Sequence, residues 1–190
     1  MFINIETLRF PIGTFEKPAV INAAILEQWI QDIANFPTQV EAILQPLSSE
    51  QLNWKYRPEG WTIKQVVHHC ADSHMNSLIR FKLTLTEDAP TIRPYWENRW
   101  AELPDSLEED MEDVLLLLRG LHGKWVKLLR TLTPEQLSLE FIHPEYGKRY
   151  TLDENIGVYA WHCRHHFAHI EQALRYKGQF NAVDDKSIVR

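Results

Sequence analysis

The sequence predicts an all-α fold, a four-helix bundle. Two observations carry this. Apolar residues recur at helical spacing over four long segments, at residues 21–47, 62–86, 107–131 and 151–178, and strand content is negligible beside them. Capping-box patterns stand at the start of the second and fourth segments.

Residues 1–19 carry Pro11, Gly13 and Pro18 and show no helical period, so the first 20 residues are expected to form an extended arm over the domain or a partner. The first helix, over 21–47, is marked by Ile25, Trp29, Ile33, Val40, Ile43 and Leu44. Pro37 should break or kink it. Residues 48–60 connect onward with a short turn at Ser49-Glu50-Gln51-Leu52. Thr62-Ile63-Lys64-Gln65 is a capping box that opens the second helix, running to Thr86. Residues 88–104, with Pro90, Pro94, Tyr95, Trp96 and Trp100, form a long loop of the kind that is often functional. The third helix has an acidic first turn that suits the helix dipole, and Gly120 and Gly123 interrupt it mildly. A helical turn is expected at 134–139 and a small hairpin at 141–150, centred on His143-Pro144-Glu145-Tyr146-Gly147. Thr151-Leu152-Asp153-Glu154 repeats the capping-box pattern, and the last helix should end at Gly178, a suitable C′ residue. One domain spanning 1–190 is expected.

Composition narrows the function. Net charge is −6, which argues against nucleic acid or an anionic membrane as partner. No run approaches the ~20 apolar residues of a membrane span, and the N-terminus does not read as a signal peptide. The two cysteines, Cys70 and Cys163, make no disulfide framework and fit a cytoplasmic protein. Seven tryptophans point to large aromatic contacts in a core, a pocket wall or an interface.

The chemistry concentrates in His162-Cys163-Arg164-His165-His166-Phe167-Ala168-His169, which holds four of the nine histidines. Neutral imidazole is the commonest metal-binding side chain, and an i, i+4 pair can place two nitrogens on one ion. With His162 at 0°, His166 falls at about 40°, His165 at about 300° and His169 at about 340° around the helix. The apolar arc of Ile156, Ala160, Phe167, Ile170 and Leu174 lies at about 80–160°, so His162 and His166 sit at its edge and His165 and His169 lie toward the polar side. The second helix offers His68, His69 and His74. Only His69 stands at the edge of the arc formed by Ile63, Val66, Val67, Leu78, Phe81 and Leu85; His68 points away and His74 points into it as a core histidine. The inferred set is His69, His162 and His166 with water, the layout of an open, catalytic zinc site. A polar helix face would show the same four histidines. His122 and His143 have no partner at ligand spacing. Cys70 and Cys163 fall on apolar arcs and read as buried small hydrophobes. Asp72 and Asn76 flank His69 and could orient a ligand or a water.

These residues also carry a family resemblance. Tyr56-Arg57-Pro58-Glu59-Gly60-Trp61-Thr62, Gln65-Val66-Val67-His68-His69 and Ala71-Asp72-Ser73-His74-Met75-Asn76 resemble the YfiT-type branch of the DinB-like superfamily. So do Arg80-Phe81-Lys82-Leu83, Ile92-Arg93-Pro94-Tyr95, Leu121-His122, Trp125, His143-Pro144-Glu145, Tyr159-Ala160-Trp161-His162 and His165-His166. The arm, Phe10-Pro11-Ile12-Gly13, is similar too. The resemblance covers nearly the whole chain. It implies a homodimeric four-helix bundle with one divalent metal per chain, zinc or nickel, on His69, His162 and His166. It further implies metal-dependent hydrolysis of a small molecule, or transfer of a low-molecular-weight thiol such as bacillithiol. Such an ion can lower the pKa of a bound water or hold a thiolate, so the ligand set fits a hydrolase and an S-transferase alike. A non-catalytic metal-binding helical module is the remaining alternative. Asp72, His74 and Glu154 are candidate general bases, and the Tyr95, Trp96 and Trp100 loop is a candidate cap.

Overall fold

The computed structural model describes residues 3–145, 147–180 and 183–184. In chain order these form β1 (Ile3–Asn4), α1 (Ile5–Arg9), α2 (Ala23–Leu44), α3 (Ser49–Leu52), α4 (Ile63–Thr86) and α5 (Glu97–Trp100). A 3-10 turn at Pro104–Leu107 follows, then α6 (Glu112–Leu129), α7 (Pro134–Leu137), β2 (Glu140–His143), β3 (Lys148–Thr151), α8 (Leu152–Tyr176) and β4 (Val183–Asp184). The long helices α2 and α4 each pack against both α6 and α8, so the four make a bundle with α2 and α4 at opposite corners. Their apolar stripes meet in a core that includes Ile33, Phe36, Val66, Phe81, Trp125, Ile156 and Ile170.

Local sequence explains where the helices start and stop. The Thr62 box forms: Gln65 N–H donates to Thr62 Oγ1, and Thr62 N–H donates to Gln65 Oε1. The second predicted box does not. Thr151 is the N-cap of α8 without a side-chain cap bond, because its hydroxyl turns to Asp153. Glu154 is drawn instead into ion pairs with Lys17 and Lys148, both at 3.0 Å. At the far end, Lys177 and Gly178 take positive φ (52° and 66°), and Gly178 N–H returns to Ala173 O at 3.1 Å.

Four expectations shift. Helix α2 runs unbroken through Pro37. The third helix starts at Glu112, five residues after Leu107, because Pro104–Leu107 forms its own 3-10 turn. The long loop contains α5. The arm is not wholly extended: Asn4 caps α1, with Glu6 in its first turn, Arg9 in its last and Leu8 buried. The hairpin pairs Phe141 with Tyr150 and His143 with Lys148, while Tyr146 at its tip lies outside the described residues, as do residues 1–2, 181–182 and 185–190 of the expected domain.

The arm matters for position. It crosses α8, where Trp161 Nε1 donates to Gly13 O at 3.1 Å and Gln172 Nε2 to Leu8 O at 2.9 Å. Among the described residues, no helix is long and apolar enough to cross a membrane.

Candidate metal centre

Seven histidines meet inside the bundle: His69 and His74 from α4, His122 from α6, and His162, His165, His166 and His169 from α8. The set predicted from helix geometry comes together. One nitrogen each of His69, His162 and His166 lies within 4.8 Å of the other two. His69 Nε2 and His162 Nε2 are 3.3 Å apart. A tetrahedral ion bonded at ~2.0–2.1 Å to two imidazoles separates their nitrogens by about 3.3–3.4 Å, so this pair fits a zinc-like ion without rearrangement. Trp61 covers His69 at 4.6 Å between ring centroids. His69 and His166 are buried and His162 is half-buried, so the group opens at His162.

Burial keeps these rings neutral. It pulls His69 down to about 4, with His165 adding repulsion, and pulls His162 and His166 well below the ordinary histidine range. His122 falls to about 4 against the pull of the Ile33 carbonyl, and His169 to about 3. Each neutral ring carries one N–H, so the hydrogen bonds determine which nitrogen holds it.

Two chains of bonds run outward from the triad, and each ends on a backbone carbonyl. His162 Nδ1 meets His74 Nε2 at 3.0 Å, His74 Nδ1 meets His122 Nε2 at 2.8 Å, and His122 Nδ1 reaches Ile33 O at 2.6 Å. A carbonyl can only accept. His122 therefore donates from Nδ1 and accepts at Nε2, and the same polarity passes through His74 to His162, whose Nε2 is left with its lone pair. In the second chain His169 donates from Nε2 to Arg9 O at 3.1 Å, and its Nδ1 lies 3.4 Å from His166 Nδ1. His166 then donates from Nδ1, and its Nε2 lone pair is left free.

Both terminal carbonyls are ones that helix geometry leaves without a helical donor. Pro37 has no N–H to offer Ile33, four residues back in α2. Arg9 is the last residue of α1, where carbonyls lack intrahelical partners.

Residues 33–170 match the family model described as the DinB superfamily. The chain belongs to the DinB superfamily. It is 46% identical over 171 residues to a Bacillus subtilis (strain 168) protein named "Putative metal-dependent hydrolase YfiT", covering 90% of this chain and 96% of that one. A Bacillus mycoides (strain KBAB4) protein of the same description is 50% identical over 166 residues, covering 87% of this chain and 94% of its own. The solved structure of Bacillus subtilis YfiT, titled as a probable metal-dependent hydrolase with an unusual four-helix bundle topology, aligns with a TM-score of 0.87 at 45% identity. That alignment covers 90% of this chain and 98% of that one. The all-α bundle of the DinB superfamily is thus the fold of this chain.

Several side chains of this DinB-superfamily bundle depart from the sequence reading. His165 and His169 are buried, at 6% and 2% exposure, rather than polar-facing. The arm covers them: Phe10 packs on His165 at 5.9 Å, and Arg9 O takes the His169 proton. His122 does have a partner, His74. Its signal was its place on the core stripe of α6, among Leu118, Leu121, Trp125 and Leu129. His74 is fully buried, as its position on the apolar arc predicts. Cys70 and Cys163 are buried too, and burial pushes both thiols up.

Asp72 is raised to about 6 by burial and by Asp105, and its backbone carbonyl accepts from Asn76. Glu154 is occupied by two lysines. In the aromatic loop Tyr95 packs on Trp100 at 4.7 Å, while Trp96 is 69% exposed. Two further ligand-like groups, Cys70 with His74 and His162, and His165 with His166 and His169, share a histidine with the triad.

Proposed function

We propose that this chain is a metal-dependent hydrolase whose divalent ion, zinc or nickel, is held by His69, His162 and His166. The observation that carries this reading is the convergence of three neutral imidazoles within 4.8 Å, two of them with Nε2 atoms 3.3 Å apart. The names of the 46% and 50% identical relatives support it. Bound there, the ion supplies Lewis acidity toward water or a carbonyl oxygen.

The chain's own residues do the rest. His122 holds a proton on Nδ1 against Ile33 O, and His74 holds one on Nδ1 against His122, so His162 keeps its proton on Nδ1 and presents Nε2. His169 does the same for His166 from the Arg9 carbonyl. Such partners fix ring orientation and raise donor basicity. Trp61 shields His69 from water, and the half-buried His162 leaves the side on which a small molecule can enter. Neither cysteine serves as a nucleophile, because burial holds both as thiols. Thiol transfer would therefore need its thiol from solution.

The test is turnover by metal-loaded protein on a panel of esters and amides, with and without a low-molecular-weight thiol. Hydrolysis that is indifferent to thiol is the expected result. Product formed only with thiol would move the assignment to S-transfer. Full activity in both His69→Ala and His166→Ala would sink the metal-centred reading.

A further inference from the structure

We infer that the chain carries a binding site for a small carboxylate at Arg80, next to the three-histidine centre. Arg80 stands on α4, and its Nε is shut away from solvent with no acceptor. Among the described residues, the ion pairs within 4.0 Å do not include Arg80. An N–H shut away from water with no acceptor is costly, since its lost hydration is not offset. The missing partner has a place to sit: Arg80 borders a cavity of about 190 Å³ between α4, the β2–β3 hairpin and α8.

The cavity's chemistry selects the ligand. Phe141, Tyr150 and Val158 give it apolar walls. His143 lines it too, and two more of its polar residues are already engaged, because Asn155 Nδ2 donates to Ser77 Oγ at 3.3 Å and Tyr159 OH to Ser73 O at 3.2 Å. Arg80 remains as a permanent cation with a planar donor fork. One such fork matches one carboxylate in charge and shape; a phosphate brings up to two charges and three acceptor oxygens and needs more donors. The volume is below the ~300–1,000 Å³ of drug-sized sites, so a small organic acid, or the acid end of a longer molecule, is what fits. A larger cavity of about 550 Å³ lies away from the histidines and is lined by Glu41, Glu109, Asp110 and Glu112, so it offers an anion nothing.

His162 lines the Arg80 cavity as well. Asn155, Tyr159 and His162 follow one face of α8, and seven residues of helix rise about 10 Å. An acid held at Arg80 therefore directs its other end along α8 toward His162. This orientation, which makes the substrate an acid-bearing ester or amide, rests on the three-histidine reading; binding at Arg80 does not.

The experiment uses full-length, metal-free protein, with 3-phenylpropionate, its neutral analogue 3-phenylpropanamide and phenyl phosphate as probes. Affinity is read by calorimetry, and position by the Nε–Hε resonance of Arg80. The acid should bind about tenfold or more tighter than the amide, the usual scale for a hydrogen bond to a charged group, and should shift that resonance. Arg80→Met should erase the difference and Arg80→Lys should retain part of it, with urea midpoints verifying that both variants are folded. Equal binding of acid and amide, no binding of either, unchanged acid affinity in Arg80→Met, or preference for phenyl phosphate would each overturn the assignment. Failure of the histidine reading is seen separately, as absence of zinc binding in a metal titration.

Discussion

His122 touches none of the three proposed ligands, yet it holds the carbonyl end of the chain that orients His162. His122→Phe should therefore weaken zinc binding by up to about tenfold, the lower end of the scale for direct partners of ligating histidines, since it acts on His162 through His74. His122→Gln, whose amide can donate to Ile33 and accept from His74, should recover most of it. Competition with a chromophoric chelator measures both, and nitrogen chemical shifts of His162 report whether its proton leaves Nδ1. Equal affinity in all three proteins would remove the tautomer argument. His69→Ala and His166→Ala should lose stoichiometric zinc in the same assay. The triad was legible in part. Helix angle sets His162 and His166 at the edge of the apolar arc, but it also sets His165 and His169 toward the polar side, where the arm buries them, so angle alone does not separate the two pairs. His122 was not legible, because its partner lies 48 residues away in sequence, and only the bundle brings the two rings together.

Helix α8 shows how far local rules reach. Thr62 and Thr151 open similar motifs, but only Thr62 forms its box, since Glu154 meets Lys17 and Lys148, one from the arm and one from the hairpin. Tertiary partners outcompeted a backbone amide. Gly157 in the same helix is a second case. An alanine there would ordinarily favour the helix by about 1 kcal/mol. Its Cβ would lie 2.7 Å from the Trp29 ring and 2.9 Å from Phe15, closer than packed carbons approach. Gly157→Ala should thus destabilise the protein, by about 1–3 kcal/mol on the scale of overpacked cores, as read from urea denaturation. A rise in the urea midpoint would show that Trp29 yields freely. Helix number and order were readable from periodicity, whereas α1 and the late start of α6 depend on short caps and a 3-10 turn that periodicity does not register.

All nine histidines have pKa values lowered from 6.5, led in each case by burial. The unfolded chain therefore binds more protons below that pH. The stabilisation is complete above pH 6.5 and is lost as pH falls through the folded values, about 4 for His69, His122 and His165. Asp72, raised to about 6, opposes this with a single group. The urea midpoint of metal-free protein should be level from pH 8 to 7 and should drop steadily from 6.5 toward 4; a flat profile would contradict the buried, neutral cluster. Pro37 ties this global property to the site. A thermostability screen would mark a proline inside a helix for replacement, since interior prolines cost about 3 kcal/mol. Pro37→Ala, however, restores an N–H that competes with His122 for the Ile33 carbonyl. Melting temperature and zinc affinity should then move in opposite directions, so an engineer selecting on heat resistance alone would breed out the metal.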